Sequence, residues 1–213
     1  RTTPLAEVQR KSEGMSIFLV DLREAIGNGL TVQPIANMVN HETNELFFDN
    51  LEIPASSLIG EEGKGFRYIL DGLNAERTLI AAECIGDGYW FIDRVTKYVK
   101  DRTVFGKPVA SFQNTKFELA ACQADVDAME AVVDRAMEAH DLDELSAADA
   151  AKAKLFCTDA AARVIDRCLQ LHGGYGYINE YPIARLYADN RVSRIYGGTS
   201  EVMKMIIAKD MGL

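Results

Sequence analysis

The sequence predicts a mainly α protein: a C-terminal antiparallel four-helix bundle preceded by a short strand-rich segment. Apolar residues after position 65 recur at a period of about 3.6 residues. Before that point the apolar runs are short and are separated by Gly, Pro, Asn and Asp. Short links join the helical runs, which favours antiparallel neighbours. With 213 residues, 48% apolar and 26% charged, the chain can form one or two domains with a sizeable core.

Taken in order, the elements divide into residues 1–62 and 63–213. In the first part Ser16–Val20, Gly29–Gln33, Glu45–Phe48 and Leu51–Ile53 read as extended, the second ending at Pro34 and the last before Pro54. Two or three strands alone are marginal in water, so these are expected to complete a larger sheet. In the second part Phe66, Ile69, Leu70, Leu73, Ile80, Cys84, Phe91, Val95 and Val99 mark a long helix from about Gly65 to about Arg102. Gly106 and Pro108 break it. A second helix runs from Phe112 to about His140, with Phe117, Ala120, Ala121, Met129, Val132 and Val133 among its apolar residues. An acidic connector, Asp141–Leu145, follows. Ser146 caps a third helix, Ala147 to about Leu171, with Asp149 as a partial capping box. A shorter helix near Tyr181–Arg191 opens with Pro182, where proline is tolerated. The last helix spans Ser200 to about Met211.

The net charge of −9 argues against a protein that coats nucleic-acid phosphates, which is normally basic. No run of about 18 apolar residues occurs, so no membrane span is expected. Cys84, Cys122, Cys157 and Cys168 form no C-x-x-C pair and read as buried reduced thiols of a cytosolic protein. His41, His140 and His172 are too scattered for a zinc cage, and no metal site is expected. The chain begins at Arg1 without an initiator Met or signal-peptide pattern, and reads as a piece of something longer.

The stretch His172–Glu201 carries two glycine clusters, Gly173-Gly174 with Gly176, and Gly197-Gly198, about 25 residues apart. They supply conformations other residues avoid. Thr199 or Ser200 can cap the last helix, whose free N–H groups also suit an anion. Gln170-Leu-His-Gly-Gly-Tyr-Gly-Tyr, Glu180-Tyr-Pro-Ile and Ile195-Tyr-Gly-Gly-Thr-Ser-Glu resemble, in order and spacing, the C-terminal signature of the acyl-CoA dehydrogenases. Upstream, Met15-Ser-Ile-Phe-Leu-Val, Glu45-Leu-Phe-Phe-Asp-Asn-Leu-Glu-Ile-Pro and Gly60-Glu-Glu-Gly-Lys-Gly-Phe66 are similar to the end of that family's middle β-domain. The resemblance covers nearly all of this chain but about half of a usual member.

Desaturating a thioester needs a base for the α-proton and an acceptor for the β-hydride. No side chain accepts a hydride, so a flavin or nicotinamide must. On pattern alone Glu76 reads as a solvated helix-surface residue beside Arg77, and Arg102 as a cation satisfying a helix C-terminus. The resemblance implies other roles. Most members carry the base immediately after the Tyr of the Tyr-x-Gly-Thr segment, where this chain has Gly197. A subset places it on the first bundle helix, at the position of Glu76. Glu83, on roughly the same helix face, is the rival. By resemblance Arg102, Phe105 and Gln113 face FAD; Gln170, Gly173 and Gly174 meet the adenine side of a flavin held mainly by a neighbouring subunit; Thr199 and Glu201 complete the contact. Arg77 orients the base or lies near substrate, and Tyr196 and the Gly197 N–H line the thioester pocket, where an N–H would stabilise the enolate. Arg185, Asp189 and Arg191 read as a structural ion-pair set, and Tyr89, Trp90 and Phe91 as packing.

The activity so implied is FAD-dependent conversion of acyl-CoA to trans-2-enoyl-CoA, with Glu76 as base and flavin N5 taking the hydride. Electrons then pass to an electron-transfer flavoprotein, in a homotetramer or dimer of the bacterial cytoplasm or the mitochondrial matrix. The alternatives are an acyl-CoA oxidase or nitroalkane oxidase, and a non-catalytic subunit of a mixed assembly.

Overall fold

The computed structural model describes residues 1–39 and 43–213; His41, weighed above as a metal ligand, lies outside the described residues. The chain divides into two compact units, Arg1–Leu73 and Asn74–Leu213.

The first unit contains β1 (Ile17–Phe18), α1 (Leu22–Ala25), β2 (Leu30–Pro34), β3 (Asn44–Phe48) and β4 (Leu58–Ile59). β2 and β3 pair antiparallel, from Leu30 opposite Phe48 to Pro34 opposite Asn44. β1 pairs antiparallel with β4. The expected Ser16–Val20 strand is therefore only two residues long. Leu51–Ile53 joins no ladder: Asn50, in a left-handed turn at φ 51°, precedes it, and Pro54, which has no N–H, follows. Sequence reading also missed α1, whose first turn is capped by the Asp21 carboxylate accepting the Arg23 N–H at 2.9 Å.

Helix α2 (Gly65–Asp101) begins in the first unit and continues into the second. There it is followed by the short hairpin β5 (Thr103–Val104) and β6 (Lys107–Pro108), α3 (Gln113–Asp141), α4 (Ala147–His172), α5 (Pro182–Asp189) and α6 (Ser200–Asp210). Phe105 and Gly106, at φ 50° and 76°, turn the hairpin, and positive φ at both positions is what a type I′ two-residue turn requires. Ser146 caps α4 as expected, accepting the Asp149 N–H at 3.0 Å.

Side-chain bonds fix the helix directions. Near the start of α2, Asn74 Nδ2 donates to the Leu145 carbonyl, just before α4. Near its end, the Tyr98 hydroxyl donates to the carbonyl of His172, the last residue of α4. Between them, the Tyr89 hydroxyl donates to Glu130 in the middle of α3. Helices α2 and α4 thus run parallel and α3 runs back between their ends, as a short α3–α4 link requires.

Cys84, Phe91, Val95 and Val99 of α2 meet Cys122, Val126, Met129 and Val133 of α3 and Cys157, Val164, Ile165 and Cys168 of α4 in one core. Each Val, Phe or Met so buried contributes about 1.5–3 kcal/mol. All four cysteines are buried free thiols, and burial pushes Cys84 and Cys157 up to about 12. The apolar residues Phe66, Ile69 and Leu70, in the first turns of α2, are exposed rather than buried. Of the predicted aromatic trio, Phe91 is core, Trp90 packs edge-on against it at 5.2 Å, and Tyr89 is tied to Glu130.

Gly88 is a steric requirement of this packing: a Cβ there would come within 2.6 Å of Val126 Cγ2. The Gly88→Val variant is expected to lose about 1–3 kcal/mol of stability through overpacking, measured by chemical denaturation.

Candidate active site

The first half of the site forms where the segment between α5 and α6 returns against the early turns of α2 and α4. Residues Asn190–Arg194 form a 3-10 turn, and Gly197 and Gly198, at φ 59° and 102°, carry the chain into α6. Thr199 caps α6, its hydroxyl accepting the Val202 N–H at 3.4 Å. A Cβ on Gly197 would lie 2.5 Å from Ile80 Cδ1 and 3.4 Å from both Glu76 Oε1 and Lys154 Cε. Glu76 and the Tyr196–Gly198 loop, predicted to act together, are therefore brought together. The Glu76 side chain is exposed on this chain.

Three polar links stitch this segment to the bundle. The Tyr196 hydroxyl donates to Glu83 Oε2 at 2.8 Å, and burial and that carboxylate both raise its pKa. Asn190 Nδ2 donates to Asp87 at 3.0 Å. Burial is the largest influence on Asp87 and raises its pKa, with the Asn190 bond working the other way. The third link was missed from sequence. Lys154, only 1% exposed, donates from Nζ to the Gly198 carbonyl at 2.7 Å and the Ser193 carbonyl at 3.1 Å. Burial lowers its pKa, while the charge of Glu76 is among the influences that raise it. The signal available was a lysine at an apolar-face position of α4, four residues before buried Thr158 and three before buried Cys157.

Arg77 does not pair with Glu76. Consecutive helix positions point about 100° apart, and Arg77 turns inward to 6% exposure, its Nε buried without a hydrogen-bond partner. Burial lowers its pKa, partly offset by the Glu76 charge. The ion-pair set expected of Arg185, Asp189 and Arg191 does not form among the described residues. Arg185 instead donates to the Asn179 carbonyl at 2.6 Å, and the ion pair in this region joins Arg194 to Asp159 at 3.7 Å.

The second half lies at the other end of the bundle. Arg102, Gln170, Gly173 and Gly174 line one cavity of about 660 Å³, with Tyr98, His172 and Tyr175. The Arg102 guanidinium stacks over Tyr175 at 5.1 Å and forms no ion pair within 4 Å among the described residues. A Cβ on Gly173 or Gly174 would meet nothing within 4 Å, so the backbone there is open to a ligand. An unpaired guanidinium beside open glycine backbone fits a phosphate-bearing planar group. Below it, the His172 ring stacks on Tyr98 at 4.2 Å, and burial lowers its pKa. Phe105, 95% exposed, and Gln113, at the start of α3, do not line this cavity; nor do Thr199 and Glu201, which lie at the start of α6.

Residues 63–212 match the family model described as acyl-CoA dehydrogenase, C-terminal domain, and the chain belongs to the acyl-CoA dehydrogenase family. It is 39% identical over 206 residues to the mitochondrial long-chain specific acyl-CoA dehydrogenase of Sus scrofa, covering 96% of this chain and 48% of that protein. It is 31% identical to the caffeyl-CoA reductase–Etf complex subunit of Acetobacterium woodii, covering 95% and 53%. The crystal structure of acyl-CoA dehydrogenase from Geobacillus kaustophilus superposes with a TM-score of 0.92 at 37% identity, covering 98% of this chain and 55% of that one. The chain spans about half the length of the curated relatives it matches.

Gly197→Ala places a side chain at a left-handed φ, which costs about 1–2 kcal/mol before the contact with Ile80 is counted. A thermal midpoint lowered accordingly is the expected result. For His172 the sign follows from burial. The unfolded imidazole takes up a proton near 6.5 and the folded one resists it, so folding loses stability as pH falls below 6.5. His172→Phe is expected to flatten that acid-side loss, read as thermal midpoints of variant and parent between pH 8 and pH 5.

Proposed function

We propose that the chain is part of an FAD-dependent acyl-CoA dehydrogenase in which Glu76 takes the α-proton of an acyl-CoA thioester. The observation that carries this reading is the approach of Glu76 Oε1 to the Gly197 backbone. The loop beside it offers backbone N–H groups and Tyr196 to line the thioester, and an N–H directed at its oxygen stabilises charge as the proton leaves. Arg77, folded inward, contributes positive charge from the protein side rather than a direct bond to the base. The rival Glu83 is already engaged as the acceptor of the Tyr196 hydroxyl.

FAD, when bound, supplies the hydride acceptor. In this reading Arg102 faces its pyrophosphate, and Gln170, Gly173 and Gly174 its adenine side. Phe105 and Gln113 are proposed as further contacts to that FAD, and Thr199 and Glu201, at the start of α6 beside the Glu76 loop, as contacts to the FAD at the Glu76 end. Glu76 and Asp101 are 25 residues apart on one helix, about 38 Å at 1.5 Å per residue. No single small cofactor spans that distance. The Arg102 cavity and the Glu76 loop therefore serve different cofactor molecules, which supports assembly as a homodimer or homotetramer.

The product is the trans-2-enoyl-CoA, and the electron acceptor an electron-transfer flavoprotein, consistent with a relative that is a subunit of an Etf complex. The domain boundary is proposed at 62/63, where the family match begins. No described helix is long and apolar enough to cross a membrane; the proposed compartment is the bacterial cytoplasm, or the mitochondrial matrix in a eukaryote.

The test is Glu76→Gln in the full-length protein. Turnover is expected to fall by about 10²–10⁴-fold with FAD still bound, the loss of a general base. Turnover within a few-fold of the parent would remove Glu76 from the role.

A further inference from the structure

Lys154 is the most deeply buried cation of the bundle, and an uncompensated ammonium is costly to bury. Its two hydrogen-bond acceptors are not carboxylates. They are the backbone carbonyls of Ser193 and Gly198, at 3.1 and 2.7 Å, which bracket Tyr196 and Gly197 from either side in sequence. Its Cε lies 3.4 Å from the point where a Gly197 Cβ would sit, and Glu76 Oε1 is at the same distance from that point. A hydrophobic residue would fill this position on α4 at no desolvation cost, but it could not hold two carbonyls of a glycine-containing loop.

We propose that Lys154 is a positioning residue: it clamps the Ser193–Gly198 loop from α4 so that the Tyr196–Gly197 backbone stays at a fixed distance from the Glu76 carboxylate. The inference rests on the reading of Glu76 as the base. Gly197 and Gly198 sit at positive φ, and Gly197 carries no side chain of its own to anchor the loop. Two charge-assisted bonds from one rigid helix supply that anchor. The consequence is for the chemical step rather than for substrate affinity. A shift of about 1 Å in a group that must meet the reacting carbon lowers rate by about a hundredfold.

The experiment compares Lys154→Met and Lys154→Arg in the full-length flavoprotein, reading amide hydrogen exchange by mass spectrometry together with kcat and KM for acyl-CoA. In Lys154→Met, exchange across Ser193–Gly198 should rise about tenfold or more while α4 stays protected. There kcat should fall about 10–100-fold with KM changed less than about threefold. Lys154→Arg, which keeps the charge and the donors, should recover most of both. Unchanged loop exchange, unchanged kcat, or an Arg variant no better than Met would each overturn the proposal. If the Met variant does not fold, Lys154→Gln gives the same readouts. Failure of the Glu76 reading shows separately, as full turnover in Glu76→Gln alongside raised loop exchange in Lys154→Met.

Discussion

The interaction on which the site depends is the pair of hydrogen bonds from the Lys154 ammonium to the carbonyls of Ser193 and Gly198. An ammonium in a packed helix interface is tolerable only when its N–H groups find acceptors. Here the acceptors belong to a loop with two glycines in left-handed conformations and a buried Ser193 hydroxyl without a partner. Cost and benefit fall on the same atoms. The Tyr196–Glu83 and Asn190–Asp87 bonds extend the attachment along the next two turns of α2. The loop is thus fastened to two parallel helices at once, and its separation from Glu76 is set by helix packing rather than by its own sequence.

Helix α2 imposes the second constraint. Its 37 residues carry Glu76 near one end of the bundle and deliver the chain to Arg102 at the other. The core residues between them are apolar on the faces that meet α3 and α4, with Gly88 allowing close approach to Val126. A helix of that length keeps the two ends apart, so the proposed base and the proposed phosphate site are separated within one copy. In the proposed enzyme that separation makes the assembly of copies part of the site.

Much of this was legible in the sequence because it is encoded locally. The 3.6-residue periodicity located the long helices to within a residue or two, and Ser146 and Thr199 marked helix starts through short side-chain bonds. Arg102, Gln170, Gly173 and Gly174 were grouped by resemblance, and the fold places them around one cavity. What escaped depends on long-range packing. Lys154 sits in an Ala-Lys-Ala-Lys run that looks like an ordinary amphipathic helix, and only the return of a loop 39 residues later reveals its partner. Arg77 and Glu76 are adjacent in sequence and suggested a pair, but adjacent helix positions diverge. In the first unit Leu51–Ile53 had the composition of a strand, while Leu58–Ile59, less conspicuous, found a pairing edge.

The proposed move of the base from one helix to another has a steric counterpart. A residue at 197 with any side chain would press on Ile80 and project toward the space that Glu76 and Lys154 border. A carboxylate there would meet the Glu76 carboxylate at close range, and two like charges in one site cannot both stay ionised at ordinary pH. The two positions therefore address the same volume, one from the loop and one from α2. With glycine at 197 the volume belongs to Glu76, and the loop is left to contribute backbone alone. That division explains the use of an anchor supplied from outside: with no side chain at 197, the loop is placed by the Tyr196 bond to Glu83 beside it and by the Lys154 grip on the carbonyls that flank it.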